Sequence, residues 1–136
     1  MDNRCSLLAI VMLSALIVVG CGKSYPDYFP VSGKILYRDK PVTSGVIMFQ
    51  PLSGPPASGE IRFDGTFELV THGRAEGAQA GLNQVRITSR DMKGDGGEMA
   101  LGRHLIPERY SQFTTSGFTA RVKPGENEPF EFRLTD

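Results

Sequence analysis

From Phe29 onward apolar and polar residues alternate along the chain, and a period of two is the mark of a strand with one face on a core. In FPVSGKILY, the residues Phe29, Val31, Gly33, Ile35 and Tyr37 share a face. In GFTARV, Phe118, Ala120 and Val122 alternate with Thr119 and Arg121; in FEFRLT, Phe130, Phe132 and Leu134 alternate with Glu131, Arg133 and Thr135. Between these two stretches Pro124-Gly125 suits the centre of a type II turn, because Pro presets φ and Gly accepts a positive one. GLNQVRITSR turns Val85 and Ile87 inward, and SGVIMFQP carries a continuous apolar run, the pattern of a strand covered on both faces. EIRFDGTFELVT is expected to form a hairpin. Ile61 and Phe63 lead in, Asp64-Gly65 makes a two-residue primed turn, and Phe67, Leu69 and Thr71 return. By the same alternation Phe63, Phe67, Phe118, Phe130 and Phe132 are expected in the core. No window in this part shows a convincing helical period. The expectation is an all-β sandwich of about seven short strands.

One stretch breaks the rhythm. Residues 90 to 112 begin Gly- and charge-rich, as a loop does, and end in IPERYS. That tail can close a single helical turn with Ile106 and Tyr110 on one side, laying Tyr110 over the open edge of the core.

The N-terminus follows a different pattern. Leu7 to Val19 is uninterrupted except for Ser14, and it then meets Gly20, Cys21 and a polar segment, GKSYPDYFP. A spanning helix, a buried core helix and a processing site are the three readings. The run is short of the roughly 20 residues a spanning helix needs, and a core helix sits badly in a chain of strands. The order Val18, Val19, Gly20, Cys21, aliphatic then small then cysteine, resembles the lipobox of bacterial lipoproteins. The resemblance implies a helical signal peptide cut between Gly20 and Cys21, with a diacylglycerol on the Cys21 thiol. Two or more acyl chains hold a protein to a bilayer stably, at about 0.8 kcal/mol per buried methylene. The expected boundaries are therefore a leader over 1–20, a tether over 21–29 and one β-domain over 30–136.

Composition narrows the function classes. The 136 residues carry 15 basic and 15 acidic side chains, so there is no basic surplus for a nucleic-acid backbone. Sixteen Gly and nine Pro favour turns over helices. The two cysteines are Cys5, inside the leader, and Cys21. The folded part therefore holds neither a disulfide framework nor a catalytic thiol.

Taken in order, the lipobox and the segments VSGKILY, KPVTSGVIMFQP, DGTFELVT, EGAQAGLNQVRI, IPERYS and SGFTARVKPGENEPFEFRL resemble a group of small secreted lipoproteins known chiefly from planctomycetes. The likeness covers about Val31 to Leu134. It implies a carboxypeptidase-regulatory-like or transthyretin-like (prealbumin-like) domain, a single seven-stranded Greek-key sandwich, anchored outside the cytoplasm. Two positions depart from the group. The first turn usually has Asp-Gly before Lys-Pro and here has Arg38-Asp39, where Asp still tolerates the left-handed region. The position two after Gly81 is often Tyr and here is Asn83.

Candidate chemistry is sparse. His72 and His104 lack a third ligand at a zinc-like spacing, and Asp91, Asp95 and Glu98 do not match a calcium loop. Both histidines are expected as solvated loop residues. Glu60, Glu68, Glu76 and Glu108 form no marked acid–base pair, and Ser53, Ser58 and Ser116 have no evident base. The purine-pathway hydrolases of the transthyretin-like fold end in a Tyr-Arg-Gly-Ser tail, whereas this chain ends FRLTD. Tyr25, Tyr28 and Tyr37 remain as rings that can stack on sugars. The expectation is a non-catalytic, lipid-anchored envelope domain with no cofactor or metal, structural or protein-binding in role. Its partners would be the membrane and an envelope protein or glycan; a carbohydrate-binding module and a transthyretin-like hydrolase are the alternatives.

Overall fold

The computed structural model describes residues 27–72, 75–91 and 102–136. The leader, Gly20, Cys21, Tyr25, Asp95 and Glu98 lie outside the described residues.

The described residues are all-β, with one short 3₁₀ turn among them. It opens with β1 (Tyr28–Phe29), β2 (Ser32–Tyr37), β3 (Lys40–Pro41) and β4 (Val46–Pro51). There follow β5 (Ala57–Glu60), β6 (Thr66–Glu68), β7 (Val70–Thr71), β8 (Ala75–Glu76) and β9 (Ala78–Gln79). The long β10 (Gly81–Thr88), the 3₁₀ turn Glu108–Ser111, β11 (Phe118–Val122) and β12 (Phe130–Leu134) complete it. One sheet has the order β11-β10-β4-β5-β7-β8. The other runs β12-β2-β3, with β6 also on β2. A ribbon of β1 with β9 lies at the N-terminal end of the described residues. Inside each sheet neighbours are antiparallel, except that β12 runs parallel to β2, Phe132 opposite Ile35.

The inward residues of the two sheets make one core. Ile47 and Phe49 of β4, Val85 and Ile87 of β10 and Ile35 of β2 are fully buried, with Phe67 and Leu134 nearly so. At its centre the Phe49 ring meets Phe67 at 6.5 Å, Phe130 at 5.8 Å and Phe132 at 6.1 Å between centroids. The last two contacts are edge-on, the geometry that the ring quadrupole favours. Gly33 permits the packing of β2 on this cluster, since a Cβ there would stand 2.7 Å from Phe67 Cζ.

Period two predicted most of this correctly. Val31, Ile35, Val85, Ile87, Ala120, Val122, Phe132 and Leu134 all face inward. Three expectations need correction. β4 is covered on one face only, with Ile47, Phe49 and Pro51 buried and Val46 exposed. Its apolar run misled because Met48 faces outward beneath Arg86, whose Nη2 lies 2.9 Å from the sulfur.

The expected hairpin is built differently. Gly65 N–H donates to Arg62 O at 2.8 Å and Arg62 N–H to Thr66 O at 2.9 Å. Phe63 and Asp64 are thus the turn's centre, and Gly65 is a left-handed bulge at φ 85°. The Asp64 carboxylate holds the bend by accepting from Thr66 N–H at 3.0 Å and Thr66 Oγ1 at 2.6 Å. That one-residue shift puts Phe63 at 85% exposure instead of in the core. The returning strand also divides between sheets, β6 pairing with β2 and β7 with β5 around the buried Leu69.

IPERYS forms the turn as expected. Tyr110 is buried and its ring stacks on Phe118, 5.4 Å away at 15°. Arg109 Nη2 donates to Tyr110 Oη at 2.7 Å and to Thr135 O at 2.8 Å, tying the turn to the end of β12.

The ring cluster and the displaced Phe63 make a paired test. Phe49→Ala is expected to lower unfolding free energy by about 3–5 kcal/mol, whereas Phe63→Ala stays within about 0.5 kcal/mol of wild type. Urea unfolding of the two variants measures the contrast, and similar losses at both positions would refute it.

Candidate functional site

Two short loops and the end of β2 frame a cleft of about 390 Å³ at the pole of the sandwich away from the chain's entry. Val42, Leu105 and Ile106 give it an apolar wall, and Arg38, Lys40 and Ser89 bring polar atoms. The β2–β3 connection builds its mouth. Tyr37 pairs with Lys40, leaving Arg38 and Asp39 as the two central residues of the turn, at φ 51° and 61°. Both are left-handed, as a type I′ turn demands, although neither is glycine.

Contacts to the last strand hold that turn. Arg38 grips the Asp136 carboxylate with Nη2 at 2.8 Å and 2.7 Å and with Nε at 2.9 Å. Tyr37 Oη donates to the same carboxylate, and Arg133 Nη1 meets Asp39 Oδ1 at 2.8 Å. The hydrogen bond from Tyr37 and the Arg38 guanidinium hold the Asp136 carboxyl below its ordinary range. The same hydrogen bond keeps the Tyr37 hydroxyl protonated to higher pH than usual, with burial adding to it.

Behind the cleft, burial would push the Tyr110 hydroxyl up, but donation from Arg109 and the bonds to Thr135 leave it below its ordinary value. That hydroxyl receives Thr135 N–H at 3.0 Å and faces Thr135 O at 3.1 Å.

Ser89 is 1% exposed, and among the described residues its Oγ has no hydrogen-bond partner. A buried hydroxyl without a partner carries a desolvation cost of about 1–3 kcal/mol, so it is a position where an acceptor is favourable. Among the described residues Lys40, which also lines the cleft, makes no ion pair. The cleft therefore sets positive charge over an apolar wall, with the Ser89 hydroxyl buried beneath it. The residues lining it include neither a carboxylate nor an imidazole.

His104 is the closest candidate base in sequence, and the strand geometry turns it away. Arg90 and His104 form an antiparallel bridge, with Leu105 N–H to Ser89 O at 3.0 Å and Asp91 N–H to Arg103 O at 2.8 Å. Side chains alternate across a strand, so Ser89 and Leu105 share the cleft face while His104 shares the other with Arg90. Instead of a solvated loop residue, His104 is partly buried. Its Nδ1 has no partner, and its Nε2 lies 3.8 Å from Glu108 Oε1. His72 is exposed beyond β7.

The other sequence candidates do not converge. Ser116 is buried and donates to Val85 O, a structural bond. Glu60, Glu68, Glu76 and Glu108 are exposed, and Glu68 is paired with Arg62 at 2.9 Å. Ser53 is exposed and Ser58 half-buried in β5. Among the described residues no group of three His, Cys, Asp or Glu could hold a metal ion. Asn83 proves to be fully buried, its Nδ2 donating to Gln79 O at 3.0 Å and Gly81 O at 3.1 Å. It fastens the start of β10 instead of offering a surface. Ser89 carried no sequence signal, because TSR reads as the plain end of a strand. The Arg38-Asp39 pair was the only visible hint of the cleft.

No family model, curated protein or solved structure matches the chain.

The clamp on Asp136 has a defined pH window. The depressed carboxyl contributes stability that is complete above about pH 4 and is lost as pH falls through its folded value. The raised Tyr37 contributes below about pH 10 and is lost as pH rises further. Asp136→Asn is expected to lower Tm slightly across neutral pH, the exposed pair being screened by solvent, and the gap to wild type should close in acid. A gap that persists unchanged at pH 2.5 in differential scanning calorimetry would contradict the assignment.

Proposed function

We propose that this chain is a lipid-anchored, extracytoplasmic β-sandwich without catalytic activity, which presents a binding face to a partner in a bacterial cell envelope. In this reading residues 1–20 are a helical signal peptide, Cys21 is the lipidated first residue, and the domain is of the seven-stranded Greek-key, transthyretin-like class. The observation that carries it is the sequence Val18-Val19-Gly20-Cys21 at the end of an apolar run, with no other cysteine from there to Asp136. Anchoring is compatible with where the fold begins. Asp27 O accepts from Ala80 N–H at 2.7 Å, and β1 pairs with β9 directly afterwards. Five residues lie between that point and Cys21, so Asp27 is six positions on.

The sandwich class is supported by the two facing sheets and by the last strand's closure against β2. The absence of catalysis is supported by the cleft's lining of donors and apolar groups, and by the opposite faces taken by Ser89 and His104. With Lys40 and Ser89 as its polar features, the cleft suits an acceptor-rich segment of an envelope protein. The glycan reading has less behind it. The rings of Tyr110, Phe118, Phe130 and Phe132 pack on one another, two pairs stacked and Phe118 edge-on to Phe132, and Phe63 stands at a turn tip.

Cys21→Ala in the full chain is expected to abolish lipid attachment and leave the leader uncleaved. Intact mass of the membrane fraction tests it. Wild type should begin at Cys21 and carry a diacylglycerol, and a mature N-terminus elsewhere, or one without lipid, would overturn the proposal.

A further inference from the structure

Among the described residues the two most exposed large apolar side chains stand at opposite poles of the domain. Phe63, 85% exposed, caps the turn beside β3, near the cleft. Leu52, 89% exposed, follows β4 at the pole where the chain enters. The β4–β10 ladder ends with Pro51 opposite Asn83, and Asn83 in turn binds Gln79 O, the register partner of Tyr28. Leu52 thus lies within a few residues' width of Asp27.

Leu52 has company. Carrying the antiparallel register one step further sets it across from Leu82, which is 41% exposed on the outer face of the six-stranded sheet. On the other side of Leu82 stands Arg121 of β11, exposed and, among the described residues, without an ion pair. Lys123 stands two residues on, exposed and, among the described residues, likewise without an ion pair. Glu126 and Glu128 come later, on the connection that leaves this sheet for β12. The corner therefore combines two leucines with two unpaired cations.

We infer that this corner, Leu52 and Leu82 with Arg121 and Lys123, docks on an anionic phospholipid surface and fixes the orientation of the domain on the bilayer. The inference rests on the lipid anchor at Cys21. Six residues span at most about 20 Å, so an anchored chain holds this pole at the membrane and the cleft away from it. A leucine removed from water favours the docked state by only about tenfold, too little to recruit a free protein. The tether changes that, because it makes docking an intramolecular step at high effective concentration. Each basic side chain beside an anionic surface adds about fivefold. The cations answer the surface charge while the leucines enter the headgroup boundary.

The test uses the mature lipidated protein in phosphatidylethanolamine–phosphatidylglycerol vesicles. With Cys5 removed in the leader and Cys21 acylated, an introduced cysteine is the only free thiol. Leu52→Cys and Phe63→Cys are each labelled with an environment-sensitive fluorophore. Both side chains are exposed, so neither change should disturb folding. The expected result is shielding from aqueous iodide, and quenching by lipid-borne nitroxide, at position 52 alone. Adding Arg121→Gln should weaken the docked state at 52 by about fivefold. Equal iodide quenching at both positions, with the Cys21 lipid verified by mass, overturns the docking and leaves the anchor standing. Equal shielding on neutral phosphatidylcholine vesicles overturns the role of the cations. A mature protein without lipid overturns both the anchor and the orientation that depends on it.

Discussion

The contact of the Phe49 ring with Phe67, Phe130 and Phe132 is where the two sheets become one body. Phe49 comes from the six-stranded sheet, and its three partners come from strands on either side of β2 in the other. None of these strands is long enough to be stable by itself, and the cluster is what turns short ladders into a cooperative unit. It also sets the spacing of the sheets, since Gly33 must remain bare for the Phe67 ring to reach across. A second layer of rings extends it. Phe118 meets Phe132 at 5.3 Å and carries Tyr110 on its other side. The stack ends at the Arg109 guanidinium, 4.7 Å above the Tyr110 ring. The core thus runs from the centre of the sandwich to the edge that the 3₁₀ turn closes.

The architecture separates two poles. β2 starts beside the chain's entry and ends at the Arg38-Asp39 turn, and six residues of strand span about 20 Å. Because β12 runs parallel to β2, its C-terminal end arrives at the same turn, placing Asp136 within reach of Tyr37 and Arg38. An antiparallel final strand would have carried that carboxylate to the opposite pole. The strand direction that closes the fold is therefore also the one that builds the cleft's mouth.

Much of the fold was legible in the alternation, and the failures share a physical cause. Period two reports which side of a strand faces a core, so it located Ile35, Val85, Ala120 and Phe132 without knowledge of their partners. It fails where one residue changes the phase. The Gly65 bulge does this to Phe63, and the change of sheet at Leu69 splits one apparent strand into β6 and β7. It also cannot distinguish burial by a second layer from cover by a long side chain, which is how Arg86 over Met48 passed for a buried strand face. The cleft was less legible still. Its members come from three separate parts of the sequence, and the informative property of Ser89, a hydroxyl with no partner, belongs to the assembled structure.

Left-handed residues other than glycine gather at working sites, and the β2–β3 turn holds two of them. The contacts of Arg38 and Asp39 give it a structural account instead. Each would be replaced more cheaply by Asn or Gly if the turn only had to reverse the chain. Each instead sends its side chain to the last strand, Arg38 to Asp136 and Asp39 to Arg133. The left-handed backbone is the conformation that lets two consecutive side chains do this, and the ion pairs offset part of its cost. The end of β12 is held besides by its register with β2 and by Thr135 on Tyr110, so these exposed ion pairs add only a little to it. The hydroxyl of Ser89 has no comparable account. Among the described residues no neighbour compensates its burial, and it is the feature of the cleft that packing alone does not explain.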